Sequence, residues 1–259
     1  MKTQEVMHVA KKPELVQQVH DHPYPLLFAT ISGAHIYGFP SQNSDFDLRG
    51  AHVLPLDEVL GLRMRHETIE KEHVRNGMEI DLVTHDVGKF FGMLLKRNGY
   101  VLEQLLSPLV VFSTPEFEQL KELAPDCVTR YHAYHYIGFA QTQWKLYSKE
   151  MPPRVKPLLY VYRVLWTGIH LMRTGKLMTN LDELNDIYPH SYIPELIDRK
   201  CNGKEKETIE PESVGFHEKE FNRLLQQLHS EMQSTQLPEM PRCEHQLNDL
   251  LIRIRKNAC

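Results

Sequence analysis

Three acidic residues sit in alternating, strand-like surroundings: Asp45 and Asp47 flank Phe46, and Asp81 lies between Ile80 and Leu82. In an extended strand residues i and i+2 share a face, so Asp45 and Asp47 point the same way while Phe46 turns towards the core. Two carboxylates on one face repel each other unless they share a proton or hold a cation between them. Upstream, Gly33-Ala34 opens a turn, and ten residues (35–44) separate Ala34 from Asp45. A glycine turn can present backbone N–H groups to an anion. Carboxylates for a divalent cation and a backbone nest for phosphate are the two halves of a site for a metal–nucleotide.

These residues need a sheet to hold them. Leu26–Ile31 is short and apolar, as a buried strand is, and the strand of Asp45 and Asp47 runs on to Leu54. The runs Glu67–Val74 and Met78–Thr84 are joined by Arg75-Asn76-Gly77, and Asn-Gly between extended runs signals a hairpin. In the second run Ile80 and Leu82 share one face and Glu79, Asp81 and Val83 the other. Because a metal site on the Asp-x-Asp strand needs a third carboxylate from a neighbour, this run is expected as its antiparallel neighbour. Residues 3–20 predict a helix capping the sheet, interrupted near Pro13. A second helix is expected from Thr84-His85-Asp86, with Phe90, Phe91, Leu94 and Leu95 as its apolar stripe, ending near Asn98-Gly99.

From Ser107-Pro108 onwards the pattern is helical, with segments expected over 116–150, 156–174, 189–200, 218–234 and 246–256 and a polar loop over 201–213. Between Met151 and Asn180 there is no Asp or Glu, but there are five cations: Arg154, Lys156, Arg163, Arg173 and Lys176. At helical spacing Lys156, Tyr160, Arg163, Thr167 and His170 form one polar stripe on an otherwise apolar helix. Cations on so apolar a helix call for an anionic partner or a wet cleft. A triphosphate would serve, and so would a structural acid such as Glu183. The cluster Arg130–Tyr136 suits a core or interface, with stacking of an acceptor as its functional alternative. The expected organisation is α+β: residues 1–107 as a mixed, antiparallel-rich sheet with flanking helices, and 108–259 as a helical domain closing the cleft.

Composition narrows the class. With 259 residues, 41% hydrophobic and 25% charged, the chain can bury a full core in one large or two modest domains. A net charge of −4 argues against a broad basic nucleic-acid footprint, though not against a local basic cleft. Cys127, Cys201, Cys243 and Cys259 form no C-x-x-C, which points to neither a zinc knuckle nor a disulfide framework, and hence to no disulfide-linked partner. His132 and His135 lack a third ligand at zinc spacing. No membrane partner is expected, and a reducing cytoplasm is the expected setting.

Gly33, the spacer and Asp45-Phe46-Asp47 resemble the signature of the DNA polymerase β nucleotidyltransferase superfamily. The fuller form, Gly33-Ala-His-Ile-Tyr-Gly38 with Ser44-Asp-Phe-Asp47-Leu-Arg-Gly50, is similar to a narrower bacterial and phage group that includes YcgL-like and RNA-ligase-associated polymerase-β-like proteins. The resemblance implies a two-metal transfer of NMP from an NTP to an acceptor hydroxyl, with Mg²⁺ or Mn²⁺ held by Asp45, Asp47 and Asp81. Asp81, in its apolar-Asp-apolar context, matches the superfamily's third carboxylate, with Glu79 second; the alternative is a lone strand acid that pairs with Arg49 or Lys89. The resemblance further implies that Gly33, Ala34, Ser44, Lys156, Tyr160 and Arg163 contact the nucleotide, and that an RNA end is one acceptor. The superfamily usually has Gly-Ser or Gly-Gly where this chain has Gly33-Ala34, so one hydroxyl is missing. Two other classes stay open: a nucleotide-binding regulatory module with little turnover, and a factor that binds RNA ends.

Overall fold

A computed structural model describes residues 9–62, 66–203 and 207–257. The beginning of the expected N-terminal helix, part of the 201–213 loop and Cys259 lie outside the described residues. The chain divides into two compact units, one of Met1–Ile36, Ser44–Cys127 and Pro241–Cys259, the other of Tyr37–Asn43 and Val128–Met240.

The first unit carries the sheet. Its strands are β1 (Leu26–Ile31), β2 (Phe46–His52), β3 (Thr68–Arg75), β4 (Met78–Asp86) and β5 (Val110–Ser113), in the spatial order β3-β4-β2-β1-β5. All six residues of β1 are buried, as expected for a central strand between two neighbours. It pairs antiparallel with β2 and with β5, and β3 pairs antiparallel with β4. The sheet is therefore mixed and mainly antiparallel, as its sequence predicts.

One pairing corrects the expectation. β4 runs parallel to β2, not antiparallel, with Asp47 opposite Asp81. The cause lies in the hairpin. Asn76 and Gly77 both take positive φ (49° and 78°), the backbone of a tight hairpin turn. β3 occupies the sheet edge, and the return strand comes back beside β2 in the same direction. The edge strand itself is lined by Glu70, Lys71, Glu72, His73 and Arg75, and such charge discourages pairing with other chains.

The helices of this unit are α1 (Pro13–His20), α2 (Ala34–Tyr37, whose last residue belongs to the other unit), α3 (Leu56–Leu60), α4 (Val87–Leu95), α5 (Gly99–Leu105), α6 (Pro115–Cys127) and α12 (Glu244–Asn257). Val9 is helical, the helix breaks at residues 10–12, and α1 begins at Pro13, as the expected interruption there requires; the missing proline N–H costs nothing in a first turn. Asp86 caps α4 by accepting from the Gly88 N–H at 2.9 Å. Asn98, expected near a helix end, caps α5 through the Tyr100 N–H.

The 107/108 division does not coincide with these units. β5 supplies the outer partner of β1, and Phe117 of α6 stacks on Phe28 with ring centroids 4.6 Å apart. The last helix returns as well: Arg255 pairs with the fully buried Asp86 and donates to the Leu54 carbonyl at 2.9 Å.

The second unit is helical: α7 (Ala133–Lys149), α8 (Val155–Thr174), α9 (Leu181–Ile187), α10 (Tyr192–Asn202) and α11 (Pro211–Ser234). α8 is its axis. Apart from Lys156, Tyr160, Arg173 and Thr174 every residue of α8 is buried, and α7, α9, α10 and α11 all pack against it. Among the described residues no helix is long and apolar enough to cross a membrane.

Candidate active site

β2 and β4 set the geometry. Paired strands keep register partners on the same face, so Asp47 and Asp81 project side by side. Glu72 of β3 is the register partner of Asp81. Ser32, just beyond β1, donates its N–H to the Asp47 carbonyl at 2.8 Å. Ser32, Asp47, Asp81 and Glu72 thus form one row across four neighbouring segments of chain. Asp45 is exposed and directly precedes β2, whose first residue is Phe46. With Glu72, Glu79 and Asp81 it lines an open depression of ≈ 480 Å³.

The turn before the row is built around the second aspartate. Gly33 has φ +67°, and a Cβ there would come within 1.9 Å of Asp47 Oδ2. The position therefore excludes side chains twice, by backbone conformation and by the carboxylate that fills the space. Ser32 Oγ, fully buried beside this turn, has no hydrogen-bond partner among the described residues. Ala34 opens the four-residue α2. His35 stacks on Phe46 with centroids 4.2 Å apart. Burial lowers the His35 pKa, against hydrogen bonds with the backbone of Asp45 and Ser44 that favour its protonated form. That ring holds the backbone from which Asp45 and the half-buried Ser44 project.

The cation between the carboxylates is Arg49. Its Nη2 donates to Asp47 Oδ1 at 2.6 Å and to Asp81 Oδ2 at 2.7 Å. Nη1 donates to the carbonyls of Leu48 (2.9 Å) and Asp81 (2.6 Å), and Nε donates to the Tyr100 hydroxyl at 2.7 Å. Arg49 is only 7% exposed. Burial opposes its charge, but Tyr100 and the two aspartates outweigh that and its pKa is raised. Burial also raises the Tyr100 pKa, against the pull of Arg49. Lys89, another candidate partner of Asp81, donates instead to Thr68 Oγ1 at 2.6 Å.

The donor chemistry fits a hard divalent cation, since Asp45, Asp47 and Asp81 offer carboxylate oxygens alone. Gly33 leaves the Asp47 carboxylate the room it needs. Among the described residues, however, no three His, Cys, Asp or Glu side chains are gathered closely enough to form a metal cage. Arg49 holds one oxygen of each of the two central aspartates.

The remaining expected contacts belong to the helical unit. Lys156 is exposed and Tyr160 half-buried. Arg163 is 2% exposed, and its guanidinium lies 3.8 Å from the centroid of the Tyr37 ring and 5.7 Å from that of Phe139. Tyr37 and Phe39 also pack edge-on against Tyr160, at 5.7 and 5.6 Å. The polar stripe read from α8 therefore includes a buried cation held against aromatic faces. Tyr100 is the site residue that sequence reasoning missed. Arg49 was visible only as one possible partner for Asp81.

Known proteins resemble this chain over most of its length. Residues 7–253 match the family model RlaP, described as the RNA repair pathway DNA polymerase beta family. The uncharacterized protein MJ0002 of Methanocaldococcus jannaschii is 34% identical over 182 residues, which cover 69% of this chain and 74% of that protein. The uncharacterized protein YcgL of Bacillus subtilis is 28% identical over 152 residues, or 58% of this chain and 57% of that protein. A crystal structure of a nucleotidyltransferase-like protein from Exiguobacterium sibiricum aligns with 95% of this chain and 79% of its own, at 12% identity and a TM-score of 0.32. The family match spans nearly the whole chain, and on that ground the chain belongs to the RNA repair pathway DNA polymerase beta family.

Proposed function

We propose that the protein moves a nucleoside monophosphate from an NTP to an acceptor hydroxyl and releases pyrophosphate. The observation that carries this reading is the register of Asp47 with Asp81 beside a Gly33 turn shaped around the Asp47 carboxylate. Asp45, Asp47 and Asp81 would hold Mg²⁺ or Mn²⁺, and the bound ion would neutralise charge on the phosphates and lower the pKa of the attacking hydroxyl. The chain's own residues supply positioning. Arg49 keeps two carboxylates side by side that would otherwise repel, and Tyr100 fixes the guanidinium. The Gly33–Ala34 turn and Ser44 are assigned to the phosphates. An RNA end is the acceptor that the family description supports.

A second reading has one observation in its favour. Arg49 already holds both central carboxylates, as suits a module that binds nucleotide with little turnover. One experiment separates the two: incubation with each α-labelled NTP and Mg²⁺ or Mn²⁺, against RNA, protein and small-molecule acceptors. Label transferred to an acceptor, lost in Asp47→Ala, supports the transferase. Metal-dependent NTP binding by calorimetry without pyrophosphate release against any acceptor supports the binding module.

A further inference from the structure

The sheet unit contains a second chemically competent group, unrelated to the carboxylates. Cys127 ends α6 and Cys243 immediately precedes α12, 116 residues apart in sequence, and both side chains are fully buried. Their sulfurs are 2.8 Å apart, within about 1 Å of the covalent S–S length of about 2.05 Å. The backbone holds them there independently of the side chains, because the Arg242 N–H donates to the Asp126 carbonyl at 2.8 Å. Position adds a second point. Cys127 is the last residue of the sheet unit before the chain leaves it, and Cys243 is the third residue after the chain returns at Pro241.

We propose that Cys127 and Cys243 are an oxidisable thiol pair whose disulfide, formed by a small peroxide, covalently closes the chain around residues 128–240. Full burial favours a small uncharged oxidant such as hydrogen peroxide over a bulky disulfide. The Cys243 sulfur attacks one peroxide oxygen, the O–O bond breaks, and the departing hydroxide takes the thiol proton to give water. The Cys127 sulfur then displaces the hydroxyl from the Cys243 sulfenic acid, and its proton leaves with that hydroxyl as a second water. Two thiols lose two electrons and one peroxide gains them. The hydrogen bond from Cys127 lowers the Cys243 pKa, and the same contact, followed by burial, raises that of Cys127, which suits Cys243 as the attacking sulfur. Half-buried Cys201 serves as the internal comparison. The closed loop would restrict the unfolded chain far more than the folded one.

The test treats the reduced full-length protein with stoichiometric hydrogen peroxide and reads intact mass, peptide map and thermal midpoint. The expected result is a loss of two hydrogens, about 2 Da, and a peptide joining Cys127 to Cys243. The midpoint should rise by several degrees and return to its starting value with dithiothreitol. Cys201→Ser should behave as wild type, while Cys127→Ser and Cys243→Ser should lose the cross-linked peptide. A peroxide-treated wild type that keeps both thiols free, carries its oxidation on Cys201, or joins other cysteines would overturn the proposal. The wild-type peptide map decides the matter even if a serine variant folds poorly.

Discussion

Two buried arginines meet their charge in opposite ways. Arg49 in the sheet unit lies between two carboxylates and a phenol, each within 2.7 Å. Arg163 in the helical unit lies flat on Tyr37 and near Phe139. The first arrangement is directional and holds acidic oxygens at fixed positions, a geometry suited to a divalent cation. The second sets the guanidinium face-on against aromatic rings, where it also takes part in the packing of the helical unit. A cation on a buried helix is thus no sign of an anionic ligand until its neighbours are known.

The strongest break of that contrast is Asp47→Ala. It should reduce NMP transfer by about 10³-fold or more while leaving the folded circular-dichroism spectrum intact; near-wild-type transfer would remove the assigned chemistry altogether. Gly33→Ala comes next. Its methyl would displace the Asp47 carboxylate, and a shift of that kind should cost about 100-fold in kcat, along with about 1–2 kcal/mol in urea unfolding. Normal kinetics in this variant would show that the turn is not shaped for Asp47.

The arginines themselves can be compared by Met substitution. Arg49→Met leaves two like charges facing each other, but Asp47 and Asp81 keep 24% and 34% side-chain exposure. The full buried-pair penalty is therefore discounted to about 2–3 kcal/mol of stability. Arg163→Met keeps the apolar volume and should cost about 1 kcal/mol. Equal losses in denaturant titration would erase the distinction drawn here.

The smallest expected effect concerns pH. Burial lowers the pKa of His52 to about 4 in the sheet unit and of His217 to about 4 in the helical unit. A neutral buried imidazole contributes stability that is fully present above the unfolded value of about 6.5 and is lost as pH falls towards 4, at no more than about 1.4 kcal/mol per group per pH unit. The unfolding midpoint should therefore fall between pH 6.5 and 4. His52→Gln and His217→Gln should each flatten that dependence in part, with His85, also lowered to about 4 by burial, carrying a further share. A midpoint independent of pH across this window would contradict both assignments.

Periodicity made much of this legible before any coordinates. The alternation around Phe46 and Ile80 placed the acids on a strand face, Asn76-Gly77 placed the hairpin, and the apolar run of α8 placed a buried helix. What stayed hidden depends on partners distant in sequence. The parallel pairing of β2 with β4 follows from β3 taking the edge, which local pattern does not encode. Tyr100 meets Arg49 across 51 positions, and α5 was obscured because Asn98-Gly99 resembles a helix end as much as a cap and first residue. Arg163 carries a charge that periodicity reads as polar, although its surroundings are aromatic.

The tie between Asp86 and Arg255 has a consequence for how the protein is made. Asp86 is fully buried, and the guanidinium that pairs with it stands 169 residues further along the chain. At about 5–20 residues per second, a ribosome needs roughly 10–30 s to cover that interval. Once β5 has followed, the nascent sheet has all five strands but not the cation that neutralises Asp86. Completion of the sheet unit therefore waits until Arg255 has been made, after residues 128–240 of the helical unit, which lie between the two in the sequence.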